Sequence, residues 1–208
     1  MRPTEDQVVH ELQDRTSPSA ESMAALHRRL ESGAERDGML DVAYRTLDTA
    51  VGSLLLAATP TGLVRIAYAV QGHEAALEAL AAAVSPRILE APGRLDDAAR
   101  EIEEYLAGGR RTFDLPLDFA LSHGFRQTVQ RFLPTIGYGQ TYSYTRVAAE
   151  VGNPKAVRAV GSACATNPLP LVVPCHRVLP ASGSVGRYAG GAEAKSVLLA
   201  MERTTTGR

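Results

Sequence analysis

The sequence has little cysteine: of its 208 residues, only Cys164 and Cys175 carry a thiol. Two cysteines are too few for a disulfide framework, and without a CxxC pair they are poor material for a structural zinc site. Both lie in the second half of the chain, and the first half has no cysteine. We therefore expect two free thiols in a reducing compartment and no bound metal.

Long apolar runs are also missing. Proline, glycine or a charged residue interrupts every candidate before it reaches the length of a membrane span. The first residues, "MRPTEDQVVHELQD", are acidic and lack the apolar core of a signal peptide. We expect a cytoplasmic protein with no membrane partner.

What the sequence does have is the composition of an ordinary globular protein, with 45% hydrophobic and 22% charged residues. Its length suits one large domain or two small ones. The net charge of -1 hides a split, because residues 123–208 carry 10 basic and 3 acidic side chains. A basic second half suits a polyanionic partner, although charge alone does not identify one.

The first part of the chain divides into an extension and a small domain. Residues 1–40 hold one helical segment, "AESMAALHRRLESG", which we expect to end at Gly33; its role stays open. Residues 41–118 begin with three strand-like runs separated by the turns "AVG" and "TPTG", which predict an antiparallel meander. Two helices follow, the second ending at Gly108 and Gly109. The pattern predicts an α+β domain made of a small antiparallel sheet plus helices.

Residues 119–208 predict a mostly helical second domain with a helix-turn-helix and an active-site loop. The helices "SYTRVAAEVG" and "PKAVRAVGSACAT" flank a tight turn, in which Gly152 would end the first helix and Pro154 would begin the second. Lys155 and Arg158 then lie near the start of the second helix, where a DNA-reading helix makes its contacts. A plain helical hairpin fits this pattern equally well.

The stretch "LVVPCHRVLP" places Cys175 between an apolar run, interpreted as strand-like, and a basic pair. A thiol is an effective nucleophile only as a thiolate, so a reactive cysteine needs a base and a group that holds the base in place. His176 is adjacent, but neighbours in an extended run point in opposite directions, which favours a relay through water. Glu202, in the apolar closing helix, is the candidate to orient the imidazole. A packed core thiol remains open, since most free cysteines are buried.

Three longer segments carry a resemblance to a known family. "NPLPLVVPCHRV", followed by "GSVGRYAGGAEAKSVLLAMER" and preceded by "IGYGQTYSYTRVAAEVGNPKAVRAVG", resembles the active-site region of the O6-alkylguanine-DNA alkyltransferases. The match covers about residues 120–203 and continues more loosely upstream. It implies a ribonuclease H-like domain over 41–118 and a DNA-binding, alkyl-accepting domain over 119–208. It also implies direct repair: O6-alkylguanine or O4-alkylthymine is flipped from duplex DNA and gives its alkyl group irreversibly to a cysteine.

The resemblance assigns the reacting groups. Cys175 would be the acceptor, His176 would take its proton through a water, and Glu202 would polarise the far ring nitrogen. Asn167 would hold the turn that braces the active-site loop. Tyr144 would contact the flipped base or its phosphate and could donate a proton as guanine leaves. No cofactor is implied, and we expect a monomer that is used up in one turnover, with cooperative binding along DNA left open.

The resemblance also assigns the groups that hold DNA and the extruded base. Arg158 would enter the gap left in the base stack. The small residues of the second helix suit close approach to DNA without sequence preference; the further DNA contacts implied are Lys155, Ala156, Ala159 and Gly161. The base pocket would be formed by Val178, Tyr188, Ala189 and Gly190.

Two positions depart from the family pattern. Some relatives have serine where Ala189 stands, which bears on the tolerance of bulky adducts only if a hydroxyl binds the base. Cys164 stands where some relatives have a long apolar residue, and a smaller side chain there would widen the pocket.

Three other functions compete with repair. A damage-flagging relative would lack the acceptor, and Cys175 argues against it. A cysteine hydrolase needs an oxyanion hole beside its nucleophile, yet Pro174 offers no N–H. A transcription regulator needs base-reading side chains, which the mostly small residues of the second helix do not supply.

Overall fold

The computed structural model describes residues 19–206, which form two compact units divided after Leu40. The first unit contains helix α1, Ala20–Arg36. The predicted stop at Gly33 is wrong, because the helix continues for another turn. A glycine inside a helix costs only about 1 kcal/mol relative to alanine, so it does not by itself end one. Gly38, with a φ of 64°, follows the helix instead.

The second unit begins with the predicted meander. Strands β1 (Val42–Thr49), β2 (Gly52–Thr59) and β3 (Gly62–Tyr68) pair antiparallel in sequence order. β2 lies in the middle, and its residues 54–57 are at most 1% exposed. A strand covered on both faces reads as a continuous apolar run, as "LLLA" does here.

The sheet is mixed rather than purely antiparallel. A fourth strand, β4 (Ile88–Glu90), pairs parallel with β1 and gives the order β3-β2-β1-β4. Its three residues are too few to show an alternation, which is why the sequence pattern did not reveal it. Helices α2 (His73–Ala83) and α3 (Asp96–Leu106) flank β4 in the chain. α3 ends as predicted, with Gly108 at a φ of 77°.

The remainder of the unit is mostly helical, as predicted. Its elements are helices α4 (Gly124–Phe132), α5 (Tyr144–Glu150), α6 (Val157–Ala165) and α7 (Gly191–Thr206), with strands β5 (Tyr142–Ser143) and β6 (Val178–Leu179). Helix α6 packs against both α4 and α5. No helix in residues 19–206 is long and apolar enough to cross a membrane.

The turn between α5 and α6 differs from the prediction in one respect. Gly152 ends α5, with a φ of 77° and the following N–H bonded back to Ala148. Pro154 and Lys155, however, lie in a turn closed by a hydrogen bond from the Ala156 N–H to the Asn153 carbonyl, and α6 begins only at Val157. Proline suits the second position of such a turn because its φ is already fixed. Lys155 therefore precedes the helix, whereas Arg158 lies in its first turn.

A short parallel pairing sets the position of the site. β5 pairs with β6 through Tyr142 with Val178 and Ser143 with Leu179. β5 leads directly into α5, whose N-terminus is capped by the Ser143 hydroxyl, a hydrogen-bond acceptor for the Arg146 N–H. β6 follows directly on a 3-10 turn over Cys175–Arg177. The pairing thus brings the start of α5 next to the residues around Cys175.

Candidate active site

Cys175 lies on the 3-10 turn and is 5% exposed. The apolar residues before it are buried, but they form turns, so the strand-like interpretation of this run is wrong. Prolines at 168, 170 and 174 remove backbone donors that a strand would need. The side chain of Asn167 instead supplies hydrogen bonds within the turn. It donates to the Val173 carbonyl at 2.8 Å and accepts from the Leu169 N–H at 3.1 Å.

This turn holds a strained backbone. Leu171 has a φ of 74°, the one non-glycine residue between 19 and 206 with a positive φ. A bulky side chain in that region costs of the order of 1–3 kcal/mol and persists only where the surroundings impose it. The two hydrogen bonds of Asn167 and full burial of the Leu171 side chain impose it here. The segment that carries Cys175 is therefore rigidly held.

The thiol of Cys175 is surrounded by groups with opposing effects on its ionisation. Burial raises its pKa, while a hydrogen bond from Asn167 and the positive charge of Lys195 act to lower it. The net result is a pKa above the usual value, so the group is a thiol near neutral pH. It needs a base before it can act as a nucleophile.

The predicted base, His176, is held by a buried network behind Cys175. Nε2 of His176 lies 3.0 Å from Oε1 of Glu202, and both residues are at most 1% exposed. The Arg177 guanidinium donates to the same carboxylate from Nε and Nη2, at 2.8 to 3.1 Å, and to the Ile136 carbonyl at 2.6 Å. The Gly139 N–H donates to Oε2 at 2.9 Å. The predicted pair of His176 and Glu202 is thus brought together by the structure.

The protonation states of this pair follow from their surroundings. Burial alone would raise the pKa of Glu202, but hydrogen bonds from His176, Arg177 and Tyr105 lower it to about 2. Burial lowers the pKa of His176 and outweighs the opposing effect of Glu202. An ionised carboxylate only accepts, so Nε2 carries the proton and Nδ1 the lone pair. Nδ1 is buried and has no hydrogen-bond partner within residues 19–206.

Four side chains that sequence reasoning missed complete the surroundings of Cys175. Arg177 pairs with Glu202, and Lys195, which is 1% exposed, donates to the Val178 carbonyl at 3.0 Å. Lys195 and Glu202 are seven residues apart on α7 and therefore share a face. This spacing could have indicated that Lys195 belongs to the site. The other two, Tyr68 and Tyr105, come from the sheet and from α3, and no sequence signal marks them.

A cavity of about 520 Å³ opens in front of the thiol, within the size range of small-molecule sites. Its wall includes five of the predicted residues: Tyr144, Arg158, Gly161, Cys175 and Tyr188. Cys164 lines it as well, beside Gly186 and Arg187 of the glycine-rich loop. Burial raises the pKa of Tyr144, so its phenol keeps its proton.

One wall of the cavity is fixed from the sheet side. The Tyr188 hydroxyl lies 3.1 Å from the Tyr68 hydroxyl at the end of β3, and the two rings meet edge to face. Gly190 lies so close to Tyr68 that an added Cβ would be 2.5 Å from its ring. The close approach explains why glycine stands at position 190.

The remaining predicted residues do not line the cavity in the described part of the chain. Val178 is fully buried in β6, while Ala189 and Gly190 follow Tyr188 in the loop. Lys155 and Ala159 are exposed, and Ala156 caps α6. Among residues 19–206, no group of three or more histidine, cysteine or acidic side chains is placed to hold a metal ion.

Two family models match the chain. The ribonuclease-like domain of 6-O-methylguanine DNA methyltransferase matches residues 42–119, and the DNA-binding domain of the same family matches residues 124–204. Among curated proteins, the methylated-DNA–protein-cysteine methyltransferase of Mycolicibacterium paratuberculosis is 39% identical over 78% of this chain and 93% of its own length. The constitutive enzyme of Bacillus subtilis is 38% identical over 77% and 94%.

Solved structures show the same similarity. The O6-methylguanine methyltransferase of Mycobacterium tuberculosis superimposes with a TM-score of 0.69 at 37% identity, covering 78% of this chain and 93% of that one. A structure of the M. tuberculosis OGT in complex with DNA superimposes with a TM-score of 0.68 at 35% identity, covering 78% and 94%.

Proposed function

Since the chain belongs to the 6-O-methylguanine DNA methyltransferase family, we propose that it repairs DNA by moving an alkyl group from O6 of guanine, or O4 of thymine, to Cys175. The observation that carries this proposal is the position of the thiol. Cys175 faces a cavity in front, while a buried base, His176, lies beside it on the same turn. A nucleophile, a base and a group orienting the base are the minimum set for such a transfer.

The reaction begins with the thiol proton. Nδ1 of His176 accepts it through a bridging water, while Nε2–H stays bonded to Glu202. The ionised carboxylate then stabilises the imidazolium that forms. Lys195 favours the thiolate, because its ammonium charge acts on Cys175 from the side of α7. The S–C bond forms as the C–O6 bond breaks, and the electron pair of that bond passes to the guanine.

Guanine leaves more easily if it is protonated as the bond breaks. Tyr144 lines the cavity and keeps its phenolic proton, so it is the proposed donor. A donor is needed because a purine anion is a poor leaving group. The product on Cys175 is a thioether, which water does not hydrolyse readily, so one chain repairs one lesion. All of these groups belong to one chain, which is consistent with action as a monomer.

The alkylated base must leave the helix before this reaction can occur. O6 lies inside the duplex, where a protein thiol cannot approach it in line, and extruding the nucleotide costs a few kcal/mol. Alkylation weakens the base pair, which lowers that cost for the damaged site. Arg158 is exposed in the first turn of α6 and lies at the edge of the cavity, so we propose that it fills the gap in the base stack.

A cysteine hydrolase fits this geometry less well. Acyl transfer needs free N–H groups beside the nucleophile to bind an oxyanion. Here the Cys175 N–H donates to the Val173 carbonyl at 2.8 Å, the Arg177 N–H donates to the Pro174 carbonyl, and Pro174 has no N–H. The N–H groups of Cys175 and Arg177 are therefore already paired.

The experiment that tests the proposal is the intact mass of the protein after incubation with a duplex containing O6-methylguanine. We expect the wild-type chain to gain one methyl group. Cys175→Ser should gain none, whereas the matched variant Cys164→Ser should still gain one, because it keeps Cys175 and His176. An unchanged wild-type mass together with tight binding of the methylated duplex would instead indicate a damage-flagging protein.

A further inference from the structure

We propose that Tyr105, on helix α3 of the ribonuclease-like domain, is a positioning residue for alkyl transfer. Its hydroxyl fixes the orientation of the Glu202 carboxylate relative to the His176 ring. This inference rests on the proposed function, because it assigns Tyr105 a part in the proton transfer described above. It extends the site into residues 41–118, which sequence reasoning treated as a separate domain without reacting groups.

The contacts of the Tyr105 hydroxyl carry the argument. It donates to Oε1 of Glu202 at 2.5 Å and lies 3.3 Å from Nε2 of His176. The hydroxyl thus touches both ends of the bond between carboxylate and imidazole. Tyr105 is 0% exposed, and its ring packs on Phe113 and Tyr138 with centroids 5.0 and 6.0 Å away. The rings fix the place of the hydroxyl.

The hydroxyl is one of several donors to a carboxylate that holds a single orientation. Arg177 and the Gly139 N–H hold Oε2, while Oε1 receives His176, Tyr105 and Arg177. Hydrogen bonds to ionised groups are about twice as strong as neutral ones. Without the hydroxyl, Oε1 loses a donor, and the carboxylate and imidazole can rotate relative to each other. The Nδ1 lone pair then points less often toward the thiol.

Removing the hydroxyl also has a defined effect on how the rate of alkyl transfer depends on pH. The charged or titratable groups that face this pair are Cys175 and Arg177 from the 3-10 turn, Tyr105 from α3, Tyr188 from the loop and Lys195 from α7. Loss of one donor leaves the carboxylate charge less compensated, which stabilises the imidazolium and raises the pKa of His176. The base is then protonated at a higher pH, so the acidic limb of the pH–rate profile moves to higher pH.

The matched control is Tyr138, a neighbouring tyrosine whose ring packs against Tyr105. Its hydroxyl is buried and has no hydrogen-bond partner within residues 19–206. Tyr138→Phe therefore removes the same atom from the same aromatic cluster without touching Glu202 or His176. Tyr105→Phe keeps the ring and its packing and removes only the two contacts of the hydroxyl.

The test is the single-turnover rate of methyl transfer from a methylated duplex as a function of pH, with the melting temperature and DNA affinity measured alongside. We expect Tyr105→Phe to be about tenfold slower at neutral pH, as for the loss of a hydrogen bond to a charged group. We also expect its acidic limb to move to higher pH while DNA affinity is unchanged. Tyr138→Phe should match the wild type in its single-turnover rate and in the pH of its acidic limb.

Two outcomes would overturn the inference: a Tyr105→Phe rate equal to that of the wild type, or a slower rate with the acidic limb in its original place. The first would mark Tyr105 as a packing residue only, and the second would show that its hydroxyl does not set the protonation of His176 through Glu202. Failure of the proposed function itself is distinguishable, because the wild-type chain would then take up no methyl group at any pH.

Discussion

The two sides of Cys175 differ in almost every physical respect. Behind the thiol, His176 and Glu202 are at most 1% exposed, and the carboxylate has a donor for each oxygen. In front of it, Arg158 is exposed, and the cavity wall is largely formed by helix α6 and a glycine-rich loop. In the proposed function, the buried side transfers the proton and the open side receives the extruded base. Substitutions behind the thiol should change the chemical step for any substrate, whereas loss of the exposed Arg158 in front should change transfer from duplex DNA.

The largest effect is expected on the buried side, from Glu202→Gln. The buried Arg177 would keep its bond to the Ile136 carbonyl but lose its ion-pair partner, which costs about 3–5 kcal/mol of unfolding free energy. Without a carboxylate to stabilise the imidazolium, transfer should also slow about a hundredfold. Urea unfolding and the single-turnover rate measure the two effects. Glu193→Gln, an exposed change on the same helix, should leave both values unchanged; equal losses in the two variants would contradict the account.

Acid should weaken the buried side in two steps. Because the pKa of Glu202 is lowered on folding to about 2, its contribution is complete above pH 4.5 and is lost as pH falls toward 2. The lowered pKa of His176 reduces stability at a higher pH. Below about pH 6.5 the unfolded chain binds a proton on this histidine that the folded chain resists binding, so unfolding becomes more favourable. The Glu202 step corresponds to about 3 kcal/mol. Urea unfolding at a series of pH values should show both losses, and the lower step should be absent in Glu202→Gln.

On the open side, Arg158→Ala should slow transfer from duplex DNA by about thirtyfold, because a side chain that props open the stack offsets part of the cost of extrusion. Transfer from free O6-methylguanine base should be unaffected. Arg203→Ala, which removes the same charge near the end of α7, serves as the control. Equal slowing on duplex and free base would argue that Arg158 acts on the chemistry and not on extrusion.

The smallest effect should come from Gly190→Ala, which tests the wall between the two sides. The new Cβ would lie 2.5 Å from the Tyr68 ring, and overpacking of this kind costs about 1–3 kcal/mol. Tyr68→Leu in the same chain should restore part of the loss. Gly33→Ala adds a methyl group where nothing lies within 4 Å and should not destabilise the protein. An unchanged melting temperature for Gly190→Ala would show that the loop moves away freely.

The sequence predicted those parts of the site that are close together in the chain. The run around Cys175 and His176 led to the predicted nucleophile and base, and the structure places Glu202, predicted from the closing helix 26 residues later, beside His176. The meander and the glycine that ends α5 were also predicted, because turns and helix ends depend on local chemistry.

Long-range contacts were not predictable in the same way. Tyr105 is 97 residues from Glu202, and Tyr68 is 120 residues from Tyr188. No local pattern distinguishes either tyrosine from a core aromatic. The strand β4 and the late start of α6 were missed for a different reason: a three-residue pairing and a proline turn leave little periodicity to detect.

The central claim is that Cys175 alone accepts the alkyl group and keeps it. The most direct measurement is peptide mapping by mass after the wild-type chain has been incubated with a large excess of methylated duplex. The account predicts one methyl group per chain, on the peptide that contains Cys175, with no further lesion repaired after that point. More lesions repaired than chains present, or a methyl group on Cys164 with Cys175 unmodified, would contradict it.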